Sequence, residues 1–174
     1  MRKCITVLLC MMCIVASAQH RLSNNGRKFI QNVEKCSLIR YRDNGAWAIG
    51  YGHRMTHGKK QYVKINKQTA VRLLNEDLRK AERIANHIID DMHWTPSQSF
   101  FDGLVSIVYN CGCMGVYKSE FYRRLMKCRS VNGKVNKSDL AYTVAAVKTT
   151  RIPSGKYADG VKARRYAEYK MMLK

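Results

Sequence analysis

Two carboxylates stand apart from the other ten acidic side chains of this 174-residue sequence: Glu34 and Asp43. Both lie in the stretch Glu34 to His53, EKCSLIRYRDNGAWAIGYGH. The glutamate ends an expected amphipathic helix and the aspartate lies at an expected hairpin turn. A glycine-rich strand, Ile49-Gly50-Tyr51-Gly52-His53, returns beneath them. Two carboxylates on separate elements, converging over a small sheet, are what cleavage of a glycosidic bond needs. One protonates the leaving oxygen while the other directs a water or stabilises the oxocarbenium charge.

The remaining acids have simpler expected roles. Glu76, Glu82, Asp90 and Asp91 lie on or near a long helix among lysines and arginines, where exposed ion pairs suffice. Asp102, Asp139 and Asp159 sit near helix starts, where capping or the helix dipole explains them, and Glu120 and Glu168 are flanked by basic residues. His53 and His57 have four-residue spacing but no glutamate between them, as a zinc protease would require. Cys36, Cys111, Cys113 and Cys128 include no Cys-x-x-Cys pair. No metal or other cofactor is therefore expected. A Cys111–Cys113 disulfide is geometrically awkward, whereas Cys111–Cys128 or Cys113–Cys128 could staple successive helices. Four small buried apolar residues are the alternative.

The elements that must position the pair follow from periodicity. Ser23, Asn24 or Asn25 caps a helix running to about Cys36, with Phe29, Ile30 and Val33 on one face. Leu38 to Tyr41 and Trp47 to Tyr51 read as strands joined across Asn44-Gly45, a strong hairpin signal. Gln61 to Ile65 is a candidate third strand after the basic loop Arg54 to Lys60. From Asn66 or Thr69 a long helix reaches about Asp91 with an apolar stripe through Leu73, Leu74, Leu78 and Ile88. Thr95-Pro96-Ser97-Gln98 predicts a threonine-capped helix start. That helix is apolar on nearly every side through Val108 and should be the buried centre, stopping at Gly112. Further helices fit Ser119 to Cys128, Ser138 to Lys148 and Gly160 to Leu173. The expected fold class is α+β and mainly helical. A helix-and-hairpin lobe spans about residues 25–65 and a larger helical lobe residues 66–174, with a cleft between them.

Residues 1–18 read as an export signal: Arg2-Lys3, an apolar run from Ile5 to Val15, then Ala16-Ser17-Ala18 as a cleavage site before Gln19. This predicts a secreted or periplasmic domain of residues 19–174, or one tethered to the membrane if the segment is retained. Loss of Arg2 and Lys3 lowers the formal net charge from +20 to +18. Such a chain should meet anionic partners: cell-wall polymer, lipopolysaccharide, membrane surface or nucleic acid. The export signal and the lack of a basic-aromatic reading motif argue against specific nucleic-acid binding. A monomer is expected.

Several motifs occur together in order. Glutamate, eight residues, aspartate, and a strand ending Ile-Gly-Tyr-Gly-His resembles the signature of the phage-type lysozymes, glycoside hydrolase family twenty-four. Asn75-Glu76-Asp77-Leu78 resembles the family's long-helix motif, and Phe101 to Gly112, FDGLVSIVYNCG, is similar to its buried helix. Gly160 to Glu168, GVKARRYAE, resembles its closing helix. The resemblance covers about residues 25–173 and implies a lysozyme-like fold. It also implies a muramidase cutting between N-acetylmuramic acid and N-acetylglucosamine in peptidoglycan. Glu34 then matches the general acid and Asp43 the second carboxylate. Tyr109 and Asn110 match substrate-binding positions, as does Arg54, and His53 matches a histidine that pairs with the residue at Asp77. The sequence departs from the pattern in three places. Ala48 stands where the family usually has a threonine, the loop after Asp43 is one residue short, and Lys35 replaces a glycine. These departures keep a second class in view, a non-catalytic cationic wall- or membrane-active protein on the same scaffold.

Overall fold

The computed structural model describes residues 19–43, 45–55 and 62–174. The expected export segment, Asn44 of the hairpin and residues 56–61, including His57 and most of the basic loop, lie outside the described residues. The fold is α+β, with six α-helices and a three-stranded sheet among the described residues.

Helix α1 spans Asn24–Glu34 and starts where Ser23 accepts a hydrogen bond from the Gly26 amide. Its buried face, Gly26 and Ile30, packs on the helix expected at the centre. Lys35 ends it at φ +52, a left-handed backbone that glycine adopts freely and lysine does not. The chain then enters strand β1, Ser37–Asp43, turns through Gly45 at φ +81, and returns as β2, Ala46–Gly50.

The register pairs Tyr41 with Ala48 and Asp43 with Ala46, and β2 pairs onward to β3, His53–Met55, with Ala48 opposite Arg54. Side chains alternate along a strand, so Tyr41, Asp43, Ala48 and Arg54 share one face. Arg42, Trp47 and Met55 share the other, where the Arg40 and Arg42 guanidiniums lie 4.5 and 4.2 Å from the Trp47 ring centre. The third strand is thus β3, not Gln61 to Ile65. The residues just before Ile65 instead make a single bridge, Lys64 to Ile39, on the other edge of β1. The tight turn at Gly50 to Gly52 brings His53 straight back onto β2, which leaves that later segment only the outer edge.

Helix α2, Lys67–Asp90, is capped by Asn66 and buries Leu73, Leu74, Leu78 and Ile88. Helix α3, Gln98–Tyr117, is capped by Ser97, whose hydroxyl accepts from the Phe100 amide. Thr95 is therefore not the cap, and Gln98 is the first helical residue. Its side chain donates instead to the Arg21 carbonyl and to Asp102. Residues Phe100 to Val108 are buried all round, as the apolar run predicts. At Gly112, φ +69, the backbone leaves helical geometry, so the first helical run ends there as expected, and a second short run continues to Tyr117. Helices α4, Glu120–Lys127, and α5, Lys137–Ala145, a 3₁₀ turn at Ala146–Thr149, and α6, Ala158–Met172, complete the domain.

Two expectations about side chains fail. Glu82 does have an ion-pair partner, Arg21 at 3.8 Å, but it is not exposed. It is buried, and its carboxylate accepts from the Leu22 amide at 2.8 Å, because the chain ahead of α1 lies across α2. Asp102 is likewise no helix-start cap. It accepts from the Ser23 amide at 2.9 Å and ties the start of α1 to α3. Cys36, Cys111, Cys113 and Cys128 are all free thiols, so neither helix staple forms.

Candidate active site

Glu34 ends α1 at the junction with the sheet, and its side chain is only 15% exposed. One carboxylate oxygen is so close to the tight turn that a Cβ at Gly52 would lie 3.8 Å from it. The other oxygen accepts from an Nη of Arg164 on α6. Arg164 is itself buried. Its Nε donates to Glu168 at 2.9 Å, and its second Nη reaches the Ser106 carbonyl and hydroxyl at 3.2 Å. Burial pulls the Arg164 pKa down, but the Glu34 and Glu168 carboxylates outweigh it, and the net shift is upward. Glu34 is thereby oriented by a charged hydrogen bond from the far end of the chain.

Glu168, expected only as an acid among basic neighbours, is fully buried. It accepts from Ser106 at 2.6 Å and from both Arg164 and Arg165. Arg165, also fully buried, donates to the Thr150 carbonyl at 2.8 Å and to Asn110 Oδ1. The sequence reading held Arg164 and Glu168 within the closing-helix resemblance and Ser106 within the buried-helix one, but gave none of them a role in the site. The available signal was the spacing, a glutamate three and four residues after two arginines on one helix.

Asp43 sits on the sheet face named above, and its carboxylate lies 3.5 Å from Arg54. The two expected catalytic carboxylates share a neighbour, Tyr41. Burial pushes its phenol up in pKa, and the charges of Asp43 and Glu34 push the same way. Ala48 pairs directly with Tyr41 and is fully buried. Tyr109 does not end free: its hydroxyl donates to the Tyr51 carbonyl at 2.7 Å, joining α3 to the β2–β3 turn. Burial drives its pKa far upward, with Glu34 and Asp77 acting in the same direction. Asn110 is exposed and takes its hydrogen bond from Arg165; Arg54 is exposed beside Asp43. Glu34 and Tyr109 therefore meet around Tyr51 and Gly52. Asp43 and Arg54 meet farther along the sheet, and Asn110 faces solvent beyond Tyr109.

His53 does pair with Asp77: Nδ1 donates to Oδ2 at 2.7 Å, and Lys80 donates to the other oxygen at 2.7 Å. Burial raises the Asp77 pKa, but the hydrogen bonds from His53 and Lys80, reinforced by their charges, hold it below the ordinary aspartate value. Among the described residues no three histidine, cysteine or acidic side chains gather as a metal would require. Two depressions lie elsewhere, one between α4 and α5 and one along α2 near Arg72 and Arg79.

The arrangement invites comparison with known proteins. The chain is similar to the muramidase domain of SpmX from Asticaccaulis excentricus at 22% identity, covering 89% of this chain and 99% of that one, TM-score 0.70. It is similar to an endolysin from Escherichia coli O157:H7 phage FAHEc1 at 26% identity, covering 88% and 93%, TM-score 0.69. A point mutant of P22 lysozyme aligns at 23% identity over 88% and 99%, TM-score 0.65. No curated protein matches. A family model described as phage lysozyme matches residues 31–168, from the last turn of α1 to the buried glutamate of α6. Most of the chain is covered, and on that match it belongs to the phage lysozyme family.

Proposed function

We propose that this protein is an exported muramidase that hydrolyses the bond between N-acetylmuramic acid and N-acetylglucosamine in peptidoglycan. The observation that carries the reading is the setting of Glu34. It is largely enclosed at the helix–sheet junction, aimed by Arg164, and shares the Tyr41 neighbourhood with Asp43. In this reading Glu34, once protonated, gives its proton to the leaving glycosidic oxygen. Asp43 offsets the positive charge that develops on the sugar ring or directs the attacking water. Arg54 beside Asp43 and Asn110 beyond Tyr109 would contact the sugars. Tyr109, committed to the Tyr51 carbonyl, would set the shape of the turn under the substrate. Export through residues 1–18 would bring the enzyme to its wall substrate, and its positive charge would hold it there.

The test is mass spectrometry of peptidoglycan digested by residues 19–174. Reducing muramic acid ends are expected, and Glu34→Gln should lower their formation by about 10²–10⁴-fold, the usual contribution of a general acid. Anhydro-muramic ends would replace hydrolysis with transglycosylation, and undiminished cleavage by the variant would remove Glu34 from its role. A second reading is favoured by Ala48, which is buried on the Asp43 face and offers no hydroxyl to hold a water. It is a cationic protein acting on walls or membranes without cutting. That reading predicts killing that survives Glu34→Gln and leaves the glycan intact.

A further inference from the structure

The groove between α4 and α5 lies outside the candidate active site and has a volume of about 360 Å³. Its lining carries Arg123, Arg124, Lys127 and Arg129 against only two carboxylates, Glu120 and Asp139. Both carboxylates are already engaged. Glu120 pairs with Arg123 and with Arg124 Nε, the latter at 2.7 Å, while Asp139 accepts from the Asn136 side chain at 2.8 Å. Among the described residues Lys127 and Arg129 pair with no carboxylate. Two positive charges are thus left over in a concave place.

One wall of the groove is also held in place. Arg124 is held on three sides. Besides Glu120, it donates to the Tyr142 carbonyl at 3.0 Å, and its guanidinium lies 4.2 Å from the centre of the Tyr142 ring. This fixes one wall and keeps α4 and α5 together. Arg129 leaves the end of α4 on a segment pinned by Ser130, whose hydroxyl donates to the His93 carbonyl at 2.8 Å. Arg124 thus sets the shape of one wall, and Lys127 and Arg129 reach the groove from exposed positions at and just beyond the end of α4.

We propose that this groove binds a terminal phosphate group in its doubly charged form, as inorganic phosphate or as a phosphomonoester. The charge argument selects it. A phosphomonoester carries about −1.5 to −2 near neutral pH and three acceptor oxygens, matching Lys127 and Arg129 together. A carboxylate or a phosphodiester brings one negative charge and leaves one cation uncompensated. The phosphate can be free or carried on a lipid headgroup, since the groove recognises the same group in both. The site stands independently of the muramidase reading, because none of its residues touches Glu34 or Asp43.

The experiment is calorimetric titration of residues 19–174 with inorganic phosphate at about pH 7.5, where the dianion dominates. It is repeated by sedimentation with vesicles of phosphatidylcholine containing phosphatidic acid or, as the diester control, phosphatidylglycerol. One saturable phosphate site is expected. The double variant Lys127→Gln/Arg129→Gln should weaken it roughly tenfold or more, as loss of two charge-assisted hydrogen bonds implies. Lys28→Gln/Arg83→Gln removes the same charge from exposed positions elsewhere and should change it by less than about twofold. Preference for phosphatidic acid vesicles, lost in the groove variant, identifies a lipid source. Binding of inorganic phosphate alone identifies a free one, and both support the site. Equal weakening in the two double variants, or no saturable phosphate binding, overturns it.

Discussion

Lys35 follows the candidate acid and holds a backbone angle, φ +52, that costs an L-residue with a Cβ about 1–2 kcal/mol. The family's glycine at this position has no such cost, which gives the departure a physical meaning: the chain must reverse between α1 and β1. Lys35→Gly should raise stability to chemical denaturation by about 1 kcal/mol, while Lys35→Ala, which keeps the Cβ, should not. Equal effects of both would mean the strain is not there. At the neighbouring ion pair, Asp77→Asn should cost about 1–3 kcal/mol of stability, as a charged hydrogen-bond partner is lost, and change activity less. The sign with pH follows from the depressed Asp77 value. Its stabilisation is complete above the ordinary aspartate range, near pH 4, and is lost as pH falls through the lower folded value. Acid unfolding of the wild type and of Asp77→Asn should therefore converge below that range; curves that stay parallel would refute the assignment.

At the scale of elements, the site depends on three close contacts. The first is α1 against α3 at Gly26, where an added Cβ would fall 2.6 Å from Asp102 Cγ and 2.7 Å from Leu22 Cδ1. Asp102 is held by the Ser23 amide and cannot easily yield, so Gly26→Ala should cost about 1–3 kcal/mol in thermal or chemical unfolding. The second is the Tyr109 hydroxyl on the Tyr51 carbonyl, joining α3 to the turn beneath Glu34. Tyr109→Phe should cost about 1–2 kcal/mol and leave a buried carbonyl unpaired. If the turn shapes the sugar site, KM should rise more than kcat falls. The third is α6, which carries Arg164 across to Glu34 and Glu168 into the core. Replacing Glu168 by glutamine would leave two buried guanidiniums without a carboxylate between them, a larger loss than any surface ion pair in the chain.

Across the whole molecule the dominant quantity is charge, 32 basic against 12 acidic residues in the full sequence. An anionic wall attracts such a surface over a distance set by salt, which falls from about 30 Å at 0.01 M to about 3 Å at 1 M. Clearing of wall suspensions should therefore drop steeply over that range, whereas cleavage of a short soluble glycan fragment, which carries only a few carboxylates, should change less. Similar salt dependence for both substrates would place the effect in the catalytic site rather than in wall attraction.

Much of this protein was legible in its residues because the interactions that write local structure are short in sequence. Apolar spacing marked the helices, Asn-Gly marked the hairpin, and the order of motifs from Glu34 to Glu168 marked the family. Other features were settled only by folding. The contact of Arg164 with Glu34 spans 130 residues and exists because α6 packs against α3. The burial of Glu82, Asp102 and Glu168 depends on which helix face another segment covers, and the composition of a helix does not say what lies across from it. The third strand went to His53–Met55 because a glycine turn returned it first to β2. Sequence alone therefore determined which residue types were available for chemistry and which elements carried them. Tertiary packing decided which carboxylate became enclosed and which guanidinium aimed it, since burial and long-range charge pairing arise only once distant segments share the same space.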